Sequence, residues 1–157
     1  MTHKRNAHIV QINVSNGGVP KKSVPSAVVS ELGIMNDNQN NKVYHGGPDR
    51  ALLIFSLEKI QALQQEGHPI VPGSTGENVT VSGLDWEKLK PGVSLQIGQV
   101  LTEVTRYASP CQTISASFID DDFSRVSQKK HPGWSRICLR ILESGTITVG
   151  DSVALVS

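Results

Sequence analysis

Hydrophobic residues recur at two-residue spacing through much of the chain, the signature of half-buried strands rather than helices. Ala7 to Val14 sets Val10, Ile12 and Val14 on one face and Gln11 and Asn13 on the other. Ser15 to Pro25, with Asn16-Gly17-Gly18 and two prolines, predicts a loop carrying Lys21 and Lys22. Val24 to Leu32 predicts a strand, and the Asn/Asp-rich stretch Met35 to Lys42 an exposed loop. The short apolar run Ala51 to Phe55 suits a strand buried on both faces. Ser56 then caps a helix reaching about Gln65, with Leu57, Ile60 and Leu63 on one stripe and Gly67 near its exit.

Further strands are predicted at Asn78 to Val81, Ser94 to Ile97 and Val100 to Tyr107, the last two turned at Gly98-Gln99. Ser115 to Lys130 is polar and mixed, suited to short helices. Ser135 to Leu142 alternates again, with Ile137, Leu139 and Ile141 opposite Arg136, Cys138 and Arg140. Gly145 to Val156 predicts a terminal hairpin turned at Gly150-Asp151. Side chains alternate across each strand, so a closed sheet with one helix and a few loops satisfies most segments.

Composition narrows this picture. A chain of 157 residues fits one domain, 1–157, with one core, and no linker divides it. Aromatics are only 4%, so Val, Ile and Leu must fill that core. A net charge of +1 without a basic tract gives no reason to expect duplex nucleic acid as a partner. No apolar run approaches a membrane span, and the polar start does not resemble a signal peptide, so the expected compartment is cytoplasmic. There, Cys111 and Cys138 are expected to be reduced.

Three segments can carry chemistry. His45-Gly46-Gly47-Pro48-Asp49-Arg50 combines an imidazole, a carboxylate and a guanidinium around glycines that let backbone approach a ligand. The same residues also make an ordinary Gly-Pro surface turn. Gly73-Ser74-Thr75-Gly76-Glu77-Asn78 is a second polar glycine loop, without the lysine and spacing of a P-loop, and equally suits a simple strand-entry turn. Arg106-Tyr107-Ala108-Ser109-Pro110-Cys111 places a cysteine just past a strand end, where a cation such as Arg106 or Lys21 would favour thiolate, the form that ligates soft metals or carries sulfur. A buried structural cysteine is the alternative there. Cys138 is a rival thiol flanked by Arg136 and Arg140, but at a mid-strand packing position. The five histidines are scattered, and neither a CxxC nor a GxSxG occurs, leaving a hydrolase or a zinc site with little support. Asp120-Asp121-Asp122 reads as a solvated loop.

In their order and spacing these segments resemble the MOSC domain, named for the C-terminal domain of molybdenum cofactor sulfurases. The resemblance runs through the Lys21 loop, His45 to Ala51, Gly76-Glu77-Asn78-Val79-Thr80-Val81, Gly83-Leu84, Pro110-Cys111 and the terminal Gly-Asp pair. It is nearest to small standalone bacterial members. One departure is Asn36-Asp37, where similar proteins carry Gly-Asp; Asn tolerates left-handed backbone, so the turn can survive.

The resemblance implies a mainly β fold, a closed or partly closed β-barrel with a few short helices. Its cavity would hold the molybdenum cofactor (molybdopterin), with Cys111 ligating the metal or accepting sulfur. It further implies Lys21, His45, Asp49, Arg50, Asn78 and Arg106 as pocket residues. Two activities follow as expectations: reduction of N-hydroxylated substrates with a separate flavin or iron–sulfur electron donor, or delivery of cofactor or sulfur to an acceptor molybdoenzyme through a Cys111 persulfide. A non-catalytic interaction module with a degenerate pocket is a third reading.

Overall fold

The structure is a computed structural model and describes residues 6–15, 22–35 and 48–156. It is mainly β. In chain order the strands are β1 (His8–Val14), β2 (Lys22–Val24), β3 (Ser26–Ser30), β4 (Gly33–Ile34), β5 (Leu52–Ser56), β6 (Val79–Ser82), β7 (Ser94–Ile97), β8 (Val100–Tyr107), β9 (Ile137–Glu143), β10 (Gly145–Thr148) and β11 (Val153–Val156). A helix, α1 (Leu57–Gln65), follows β5 directly. Short 3₁₀ turns occupy Pro48–Arg50, Trp86–Lys88, Gln112–Ser117, Ile119–Asp121 and Phe123–Val126. None of the helices among the described residues is long and apolar enough to cross a membrane.

Eight strands form one sheet in the order β11-β7-β8-β9-β5-β6-β1-β2, and β10-β3-β4 form a second. The eight-strand ladder does not close into a barrel, since its end strands β11 and β2 are not paired. Backbone bonds do join β1 to the turn before β11, with Ile9 N–H donating to Asp151 O and Gly150 N–H to Ile9 O, both at 2.9 Å. The β5–β6 pair is parallel because α1 and the loop after it return the chain to the same end of the sheet. Ser56 accepts from Lys59 N–H at 3.2 Å, fixing the start of α1 as its cap position predicts. Ile60 and Leu63 then press into a core with Ile54, Phe55, Val79, Leu95 and Leu139. Phe55 and Trp86 meet edge-on at 6.1 Å, so two of the scarce aromatics share one core contact.

Three expectations need correction. In β1, Ile9, Ile12 and Asn13 are buried, whereas Val10 and Val14 are only partly so. A bulge between Ile9 and Gln11 breaks the two-residue period, which the sequence pattern cannot register. Lys22–Val24, expected in a loop, pairs antiparallel with β1 as an edge strand. The terminal segment is not a paired hairpin: β10 pairs with β3 and β11 with β7. A turn does form, with Asp151 N–H donating to Thr148 O at 2.9 Å, but it docks on the β7–β8 turn. Gly98 N–H donates to Ser152 O, and a Cβ on Gly98 would collide with the Asp151 carboxylate. That docking sends the two strands to different sheets.

Candidate functional site

The β8 strand ends at Tyr107, where Ala108 N–H donates to Arg136 O at 2.9 Å and aligns the chain with the start of β9. Pro110 and Cys111 follow. Cys111 is in extended conformation (φ −142°, ψ 174°), and its carbonyl accepts from Ile114 N–H at 3.1 Å to start the Gln112–Ser117 turn. The thiol belongs to no disulfide and the residue is partly exposed.

Beneath this segment lie Arg136 and Glu77, the two charged side chains that are buried among the described residues. Arg136 donates through Nη1 to Thr75 O at 2.7 Å and through Nη2 to Ser109 O at 3.4 Å. Its Nε is buried without a hydrogen-bond partner. Burial pulls the guanidinium's pKa down, and the neighbouring Glu77, Cys138 and Cys111 oppose that pull. Glu77 accepts from Gly73 N–H at 3.0 Å and from the hydroxyls of Thr75 at 2.8 Å and Thr80 at 3.2 Å. Burial nonetheless raises its pKa, the bonds and Arg136 offsetting only part of the desolvation. Ser117 donates to Ser74 Oγ at 2.9 Å. The second glycine loop and the cysteine segment therefore meet.

Asn78, the next residue in that loop, has a different place. Its Oδ1 accepts from Leu53 N–H at 2.8 Å, while its backbone N–H donates to Leu53 O and its O accepts from Asn13 N–H, both at 2.7 Å. It stitches β5, β6 and β1 together at the loop's root.

Asp49, Arg50 and Arg106 gather around Cys138 instead. Arg106 pairs with Cys138 across the β8–β9 register, and the positive charges of Arg50 and Arg106 act on that thiol. Burial outweighs them and Arg136 and pushes the Cys138 thiol up. Asp49 accepts from Arg140 Nε at 3.1 Å, and that partner holds its carboxyl below the usual range. An open depression of about 470 Å³ is lined here by Asp49, Glu103, Thr105, Arg106 and Arg140. Arg136 touches both groupings electrostatically, through Cys111 on one side and Cys138 on the other. Lys21 and His45 lie outside the described residues.

The sequence reading passed over Arg136 and Glu77 as site residues. Glu77 sat within a quoted motif and Arg136 was placed only as a flank of Cys138. Nothing in residue order distinguishes a buried carboxylate from a solvated one. The available signal was the polar company of Glu77 between Thr75, Asn78 and Thr80 at the mouth of an apolar strand. Among the described residues, no group of three or more His, Cys, Asp or Glu side chains could hold a metal ion by itself.

Residues 41–154 match the family model of the MOSC domain. The chain is 27% identical over 143 residues to YflK of Bacillus subtilis (strain 168), covering 89% of this chain and 63% of that protein. It is 27% identical over 135 residues to YiiM of Escherichia coli (strain K12), covering 83% and 59%. The chain thus spans about three fifths of the length of these two relatives. Its fold is that of YiiM from Geobacillus stearothermophilus, with a TM-score of 0.75 at 23% identity over 96% of this chain and 75% of that one. The YUAD protein from Bacillus subtilis is similar over 95% of this chain and 94% of its own, with a TM-score of 0.71 at 18% identity.

Proposed function

This chain belongs to the MOSC domain family, and from that premise we propose that it binds the molybdenum cofactor beside Cys111 and reduces N-hydroxylated substrates. The observation that carries the reading is a partly exposed free thiol, Cys111, next to a buried guanidinium with an unpartnered nitrogen. The donor set fits. One thiolate is a soft ligand, and a single protein ligand suits a metal that arrives with the sulfurs of its pterin. A buried cation suits a group that brings negative charge. On this reading the sheet, with β1 bonded to the turn before β11, works as a partly closed barrel around the site.

Bound there, the cofactor would supply the redox centre. The chain's residues hold and orient. Cys111 would ligate, the Glu77-anchored loop and the Gln112–Ser117 turn would shape the wall beside it, Asp49 and Arg106 would provide polar contacts at the neighbouring depression, and Arg50 would add positive charge near Cys138. Reducing an N-hydroxyl to N–H consumes two electrons and two protons and releases water. The given residues hold no dinucleotide fingerprint and only two cysteines, so on this reading the electrons come from a flavin or iron–sulfur donor outside them. The expected setting is cytoplasmic.

The test is turnover of an N-hydroxylated base by cofactor-loaded protein with an artificial electron donor, wild type against Cys111→Ala. The wild type should turn over and the variant should not, with both folded by circular dichroism. Equal turnover in the two proteins refutes the role of Cys111.

A further inference from the structure

Burying a guanidinium costs several kcal/mol unless its partners compensate, and a chain of this size rarely spends that without reason. Arg136 is 5% exposed and Glu77 fully buried, yet no ion pair joins them directly. They are joined through Thr75, whose hydroxyl donates to Glu77 and whose carbonyl accepts from Arg136. The other arm of the guanidinium reaches Ser109 O, two residues before Cys111. Beyond Cys111, Ser117 is bonded to Ser74 on the same loop. The cysteine segment is thus held to residues 73–77 on both sides of the thiol, once by Arg136 and once by a serine pair.

Taking Cys111 as the ligating thiol of the function proposed above, we propose that Arg136 is a positioning residue, which clamps Ser109 to the Glu77-anchored loop so that Cys111 is presented on a fixed frame. A planar fork that donates in two directions at once is what this geometry uses, and lysine lacks it. Apolar side chains of similar size would fill the same volume without holding either carbonyl. The packing of β9 alone therefore does not account for an arginine here.

Hydrogen–deuterium exchange on the full chain, without cofactor loading, tests the clamp. In Arg136→Met, exchange should rise about tenfold, the effect of one lost bond, at residues 73–77 and 109–117 together. Exchange in α1 and the β7–β8 hairpin should stay at wild-type levels. Arg136→Lys should recover protection in one of the two segments, since an ammonium can reach one carbonyl without spanning both. If Arg136→Met fails to fold, the double variant Arg136→Met/Glu77→Gln removes the stranded charge and is read in the same way. Unchanged exchange at 109–117, or a rise spread evenly through the sheet, overturns the proposal. The outcome does not depend on metal: a wild type that never binds molybdenum would remove the cofactor reading and leave the exchange result standing.

Discussion

Glu77 offers the sharpest energetic test of how the site is built. Replacing it with leucine keeps the volume and removes every acceptor. The Gly73 N–H loses its partner, at a cost of about 1–3 kcal/mol. Arg136 loses a nearby buried carboxyl whose field opposes its desolvation, although the two form no direct ion pair and are joined only through Thr75. The hydroxyls of Thr75 and Thr80 lose their acceptor as well, and because these effects share one network and do not add fully the expected loss is about 2–4 kcal/mol, a sizeable part of the stability of an ordinary domain. Glu77→Gln keeps one oxygen for Gly73 and Thr80, while Thr75 can turn its hydroxyl to accept, so its cost should be far smaller. The pH dependence gives a second, independent sign. Because the carboxyl pKa is raised in the fold, the folded chain retains a proton that the unfolded chain releases near the usual value of 4.5. Stability from this group is therefore full below that value and falls as pH rises towards the folded-state pKa, by at most about 1.4 kcal/mol per pH unit. Urea unfolding of wild type and Glu77→Gln across this range should show the variant's penalty shrinking as pH rises. A penalty that grows with pH, or a Leu variant as stable as Gln, would refute the account of the loop.

Other positions give simpler readings. Gly33 has φ +114°, and an added Cβ would overlap the Ala51 carbonyl, so Gly33→Ala should cost roughly 3 kcal/mol and lower the melting temperature clearly. Ser56→Ala removes the cap of α1 and should cost about 1 kcal/mol in chemical denaturation, with the sheet intact. Cys138 is buried with its thiol pushed up, while Cys111 is partly exposed, so site-resolved mass spectrometry after brief iodoacetamide treatment should find the native protein labelled at Cys111 alone. Prominent labelling of Cys138 in folded protein would contradict the burial described here.

Much of the fold was legible because strand pattern and turn chemistry are local. Ser56 at the cap, Gly98 at the β7–β8 turn and the alternation of Ile137, Leu139 and Ile141 all act within a few residues of themselves. Partner choice is not local. Gly145 to Val156 has the composition of a hairpin, and only the docking of Asp151 against Gly98 parts its strands. The bulge after Ile9 likewise depends on the register with β6. At the site, the cysteine and the second glycine loop could be named because glycine, proline and cysteine are chemically distinctive. Arg136 and Glu77 could not, because a charge reads the same in sequence whether solvated or buried. Asn78 was named as a pocket residue, yet its amide oxygen holds the β5 backbone, a use that its type equally permits.

The central claim is that Cys111 holds a molybdenum–pterin group. The most direct test is elemental mass spectrometry of molybdenum per chain, in wild type and Cys111→Ala purified from a host that makes molybdopterin. The account predicts near-stoichiometric metal in the wild type and loss in the variant. No molybdenum in either protein, or equal amounts in both, would contradict it.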